Sequence, residues 1–229
     1  MRIVLASGSP RRRQLLEQMG LDFDVVVSDA DETVEGAPHE QVAALARRKA
    51  EAVAALLAAE NNAAGVQAMD TQATRAGAAG NAQDTLIIAA DTLVAVESRG
   101  RNGAYILGKP ADAQDAFDML SALQGRKHTV YTGVALLRLR GQTGVWISDD
   151  LTVFVDAAYV YFRSLSKREI HAYIATGEPF DKAGAYGIQE KGALLVERVE
   201  GDFYTVMGLP VSKLCVQLEE MGVDVWGQG

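Results

Sequence analysis

The stretch HTVYTGVALLRLRGQTGVWISDDLTVFVDAAYVYF, residues 128–162, decides the fold. It is rich in Val, Thr, Tyr and Phe, and two long β-type runs flank the turn signal Gly141-Gln142-Thr143-Gly144. Strands joined by so short a turn pair antiparallel. Elsewhere strands and helices alternate irregularly, with no internal repeat. The combination reads as α/β, a mixed twisted β-sheet flanked by helices, and not as a purely parallel wound sheet.

Working outward, Ile3-Val4-Leu5 reads as a strand that turns at once into a helix. Ser9 suits the N-cap and Pro10 the first helical position. Leu15, Leu16 and Met19 form its apolar stripe, and Gly20 stops it. A short strand is expected at 23–28, an acidic loop at 29–38, and a helix from His39 to Leu57. Residues 59–84 are small, polar and aperiodic, and read as a mobile surface loop. A strand follows at 86–97, then a helix from Asp112 to Leu123 ended by Gly125. Ser166 and Glu169 stand in capping-box spacing before a helix closed by Gly177. The expected final elements are a strand at 192–201 and a helix from Val211 to Met221.

With 229 residues the chain is large enough for a sizeable core. The net charge of −8 argues against general nucleic-acid binding and against anionic membranes, which both reward a basic surface. A basic cluster in so acidic a protein points instead to a small anionic ligand. Cys215 is the one cysteine, so there is no intrachain disulfide. It falls in the pattern Val211, Leu214, Cys215, Leu218 and reads as core. No apolar run approaches membrane-spanning length, which makes the cytoplasm the expected location.

Several residues break these patterns. Arg11, Arg12 and Arg13 occupy a first helical turn, where the helix dipole disfavours cations. That placement makes sense if a phosphate completes the site; otherwise the arginines meet solvent or carboxylates. On the second helix Val42, Leu45, Ala46, Val53 and Leu56 share a face, with Lys49 at its centre. Lys49 must either snorkel to water or aim into an anion cleft. Asp91 interrupts an apolar strand, with Ile87, Ala89, Leu93 and Ala95 on its side. A carboxylate there needs a hydrogen bond, a cation or a metal; it is either a satisfied structural aspartate at a strand end or a group that accepts a proton from water.

Lys109 sits on a tight Gly-Lys-Pro turn. In DKAGAYGIQ, residues 181–189, Gly184 and Gly187 would let backbone approach a ligand, Asp181 and Lys182 supply charge, and Gln189 has an amide able to read a base edge. The Ser7-Gly8-Ser9 run lacks the strand–elbow context of a hydrolase nucleophile, and His39, His128 and His171 fall in unrelated settings.

Taken together, LASGSPRR, DETV, LARRKA, AADT, LGKP, HTVYTGVAL, GEPFDKAGAYGIQ and GDFYTVMGLP, in that order, resemble the Maf family over nearly the whole chain. These are nucleotide pyrophosphatases structurally related to the inosine triphosphatases. The resemblance implies one domain over residues 1–229, with residues 59–84 as a surface-loop insertion and an active-site cleft between two lobes. It implies hydrolysis of a nucleoside triphosphate to monophosphate and pyrophosphate with a divalent metal, Mg2+ or Mn2+, and Asp91 as proton acceptor. Arg11, Thr92 and Gln189 then hold the specificity positions, in the combination of the dTTP/UTP branch. Ser7, Arg12, Lys49, Lys109 and Lys182 are expected around the triphosphate. Glu32 is expected to join Asp91 at the metal, and Asp91 is base, metal ligand or both. A homodimer is the expected assembly. Family members are also linked to arrest of septum formation, so a nucleotide-binding regulator of cell division without catalysis is the alternative.

Overall fold

A computed structural model describes residues 1–69, 84–97, 104–142 and 145–227. In chain order the elements are β1 (Arg2–Leu5), α1 (Pro10–Gln18), β2 (Asp24–Val25), α2 (Pro38–Met69), β3 (Thr85–Glu97) and β4 (Ala104–Leu107). There follow α3 (Ala113–Leu123), β5 (Lys127–Gln142), β6 (Val145–Phe162) and α4 (Lys167–Ile174). Three 3₁₀ turns, Glu178–Asp181, Ala183–Ala185 and Glu190–Leu195, precede β7 (Val196–Glu200), α5 (Phe203–Met207) and α6 (Val211–Glu220).

The seven strands form one mixed sheet in the order β2-β1-β3-β5-β6-β7, with β4 added beside β3. β1 runs parallel to β2 and β3, and every other pairing is antiparallel. The β5–β6 hairpin expected from residues 128–162 is present, running from Lys127↔Tyr161 to Gln142↔Val145. Its turn residues 143–144 lie outside the described residues.

One feature of this sheet places the site. β1 pairs with β3 at residues 85–88, and β4 pairs with the same edge at residues 94–97. Between them, residues 89–93 have a strand partner only on the β5 side. The chain leaving β1 and the chain leaving β4 therefore enter the same gap. Separate cores flank it. One packs β1, α1 and α6 on one sheet face, around Leu5, Leu16, Ile88 and Leu214, with Val53 of α2 and Ile87 on the other face. The second packs β4, α3 and α4 around Leu107, Leu120, Ile170 and Phe162. A cleft between two lobes follows from that arrangement.

Local signals behave unevenly. Asp112 caps α3 through Asp115 N, and Ser166 with Glu169 forms a reciprocal capping box on α4. Ser9 occupies the N-cap of α1 but makes no side-chain cap bond. The strand expected at 23–28 shrinks to Asp24–Val25, and that expected from 192 begins only at Val196, after a 3₁₀ turn. Residues 59–69 are not a loop: α2 continues through them to Met69, as the high helix propensity of alanine favours. The rest of that segment, 70–83, lies outside the described residues, as does 98–103. On α2 it is Leu57, not Leu56, that is buried. Cys215 is not core: it is half-exposed, with its Sγ 3.9 Å from Glu219 Oε1, while Leu214 and Leu218 carry the buried stripe of α6.

Candidate active site

The gap in the sheet opens into a cleft of about 680 Å3. It gathers Ser7, Arg11, Arg12, Glu32, Lys49, Asp91, Thr92, Lys109 and Lys182, nine of the ten residues expected from sequence. Gln189 lies apart, in a small side pocket with Arg11, Lys182, Gly187 and Glu190.

Neighbouring residues of a strand face opposite ways, so Asp91 points to α2 and Thr92 to α1 and α5. Asp91 Oδ1 lies 2.7 Å from Lys49 Nζ, and Glu32 Oε1 lies 2.7 Å from the same nitrogen. Both Lys49 and Asp91 are largely buried, with side-chain exposures of 17% and 14%. Lys49 therefore neither snorkels nor stands free; it bridges two carboxylates. Its hydrogen bond holds Glu32 below the usual carboxylate pKa, against partial desolvation and with help from Lys109 and Arg12. The loop carrying Glu32 is tied to α2 by Arg48, whose Nη1 donates to the carbonyls of Asp31 and Thr33.

Arg12 faces the other side of the cleft. Its Nε donates to Gly208 O at 2.9 Å, Nη1 to Ser7 Oγ at 3.0 Å and Nη2 to Thr92 Oγ1 at 3.1 Å. A guanidinium has five N–H donors, so these three bonds leave two for a ligand. Burial pulls its pKa below the usual value, while Asp91 acts in the opposite direction. Ser7 Oγ accepts from Arg12 and from Ser9 N, which leaves its own proton available to an anion.

Arg11, half-buried, reaches Asp181 at 3.4 Å. Lys182 Nζ bonds Asp181 Oδ1 and Glu178 O, each at 2.6 Å. Burial raises the Asp181 pKa, but Lys182 and Arg11 outweigh it and hold the carboxyl below its ordinary value. Of the two glycines of this loop, Gly184 packs against the fold, whereas Gly187 lines both the cleft and the side pocket. A Cβ at Gly184 would meet Val94 at 2.9 Å, and one at Gly187 would meet Lys182 Cε at 2.8 Å. Gly184 N also donates to Gly108 O, which fastens this loop to the turn bearing Lys109.

Sequence reasoning missed Gly133, Thr132 and Thr205. Gly133 is the register partner of Asp91 on β5, and α2 comes so close there that no side chain fits. Thr132 and Thr205 stand behind Thr92. A glycine and a threonine within a strand of HTVYTGVAL are weak signals alone. Only the pairing with Asp91 and Thr92 gives them meaning.

The site thus sets the largely buried Asp91 carboxylate among cations delivered by separate segments. The family model for Maf-like protein matches residues 2–221. The chain belongs to the Maf family. Relatives within it include a protein from Bacillus cereus named dTTP/UTP pyrophosphatase, 41% identical over 98% of this chain and 92% of its own. A Bacillus anthracis protein of the same name is 40% identical over 98% of this chain and 97% of its own. Among solved structures, a HAM1 protein from Coxiella burnetii aligns with 96% of this chain and 99% of its own, at 16% identity and a TM-score of 0.41.

Proposed function

We propose that this Maf-family protein hydrolyses UTP and dTTP to the monophosphate and pyrophosphate in the cytoplasm, clearing or balancing nucleotide pools. The observation that carries the reading is the cleft itself: Arg11 and Arg12, Lys49, Lys109 and Lys182 arrive from four chain segments around Asp91. A triphosphate carries about four charges, and catalysis of its cleavage is mostly positioning and charge neutralisation. The names of the curated relatives supply the substrate class.

In this mechanism Arg12 presents its two remaining N–H groups and Ser7 its hydroxyl to phosphate oxygens. Lys109 and Lys182 hold the departing end. Lys49 orients Asp91, whose carboxylate takes a proton from water as the water oxygen bonds to the α phosphorus. The bond from the α phosphorus to the bridging oxygen breaks, and pyrophosphate leaves with that electron pair. Among the described residues no group of three or more His, Cys, Asp or Glu is placed to hold a metal. Glu32 and Asp91 nonetheless converge on one cation, the Lys49 ammonium, and so suit Mg2+ or Mn2+ with water and phosphate as the other ligands. Such an ion would supply charge neutralisation at the phosphates.

The test is a panel of the common ribo- and deoxyribonucleoside triphosphates with Mg2+, with and without a chelator. UTP and dTTP should exceed ATP and GTP in kcat/KM, and chelation should abolish turnover. Equal kcat/KM for UTP and GTP overturns the substrate class, and binding without turnover overturns the enzyme reading.

A further inference from the structure

Thr92, Thr132 and Asp156 are register partners on three successive strands, Thr92↔Thr132 between β3 and β5 and Thr132↔Asp156 between β5 and β6. They therefore stand in a row on one sheet face, the face opposite Asp91. Thr132 and Thr205 are fully buried, and the Asp156 side chain is 13% exposed. A polar row in that position is costly unless every member is bonded.

The direction of each bond follows from donor count. Thr205 O is a carbonyl and only accepts, so the single Thr132 proton goes to it, at 2.8 Å. The 2.9 Å bond between the two threonine hydroxyls must then be donated by Thr92. Thr92 in turn accepts from Arg12 Nη2. The Thr205 hydroxyl donates to Asp156 Oδ2, and Lys213 Nζ donates to the other oxygen of that carboxylate. Two routes thus run from Asp156 to one guanidinium. One passes through Thr205, Thr132 and Thr92 to Nη2. The other passes through α5, pinned at Thr205, to Gly208 O and Nε.

We propose that Thr132, Thr205 and Asp156 are positioning residues for Arg12, fixing the guanidinium plane so that its two free N–H groups face the anion cleft. They touch no substrate themselves. This extends to Thr92, whose proton is spent inside the row and is not offered to base or sugar. The role rests on the reading of the cleft as a polyphosphate site, and outer groups that lock a first contact have this effect in many sites.

The test uses the purified full chain and two readouts, Kd for inorganic tripolyphosphate and kcat for UTP. Thr132→Val keeps shape and removes the hydroxyl; Thr132→Ser restores it. We expect Thr132→Val to weaken tripolyphosphate binding and lower kcat, each by about tenfold or more, and Thr132→Ser to stay within about threefold of the unmodified protein. In an Arg12→Lys background, Thr132→Val should have no further effect, because its action passes through Arg12. Should Thr132→Val fold poorly, Asp156→Asn at the solvent end of the row provides the same comparison. Unchanged tripolyphosphate binding in the folded variant overturns the proposal, as does an undiminished effect in the Arg12→Lys background. If the unmodified protein fails to hydrolyse UTP while Thr132→Val still weakens tripolyphosphate binding, the row stands and only the enzymatic reading falls.

Discussion

Gly133→Ala is the perturbation that joins fold to chemistry most tightly. Gly133 lies opposite Asp91 in the β3–β5 ladder, and the start of α2 crosses directly above it. A Cβ built there would sit 2.4 Å from Val42 O and 2.5 Å from Val42 C. Ordinary non-bonded separation is about 3.5 Å, so the helix backbone must retreat by about 1 Å. Both contacts are backbone, and no flexible side chain can absorb the overlap. Overpacking of this kind costs about 1–3 kcal/mol of stability. α2 also carries Lys49, whose ammonium lies 2.7 Å from Asp91. A rigid retreat by about 1 Å takes that contact beyond hydrogen-bond range. Displacements of that size cost up to about 100-fold in rate. Urea denaturation gives the stability change, and pyrophosphate release from UTP under saturating conditions gives kcat. We expect a loss of about 1–3 kcal/mol and a fall in kcat of about 10- to 100-fold. A variant within about 0.5 kcal/mol of the unmodified protein and unchanged in kcat would refute the claim that this glycine lets α2 deliver Lys49.

Three further outcomes follow from named groups. Asp91→Asn preserves shape and removes the proposed proton acceptor; kcat should fall by about 100-fold or more with little change in Tm, and near-normal turnover would remove Asp91 from that role. His128 is buried against Phe162 and Tyr186, and desolvation lowers its pKa from 6.5 to about 3. Between those values the unfolded chain binds a proton that the folded chain refuses, so stability falls as pH falls, by about 1.4 kcal/mol per unit from this group. Urea titrations at several pH values should show that extra slope in the unmodified protein and lose it in His128→Gln; equal slopes would mean that folded His128 titrates normally. Gln189→Ala should erode the preference for UTP over GTP more than it slows UTP hydrolysis, measured as paired kcat/KM values. An intact preference would take base reading away from Gln189, in keeping with its place in the side pocket.

How much of this was legible in the sequence depends on the range of each signal. The β5–β6 hairpin, the Asp112 cap and the Ser166–Glu169 capping box depend on neighbours in the chain, and composition reads them directly. Asp91 and Lys49 were visible as charges set in apolar stripes, each lacking a partner in its own element; the structure makes them partners of one another. The alternation along β3 gives the face of each residue but not which strand lies beside it. The gap between β1 and β4 was therefore invisible in the residue pattern, and the cleft was expected only from the family resemblance. The same limit hid the row behind Arg12, because Thr92, Thr132 and Asp156 are distant in sequence and meet only through register. At 59–69 the polar residues suggested a loop, yet alanine's helix propensity prevailed. At Cys215 the helical period was right but the stripe is narrower than the pattern of apolar letters.

The most direct test of the mechanism is the position at which water enters. Hydrolysis of UTP in water enriched in oxygen-18, followed by mass spectrometry of the products, should place one labelled oxygen in UMP and none in pyrophosphate, with negligible orthophosphate. Attack at the α phosphorus, with Asp91 taking the proton and the cationic wall of the cleft holding the leaving pyrophosphate, requires that result. Label in pyrophosphate, or in orthophosphate released together with UDP, would contradict it.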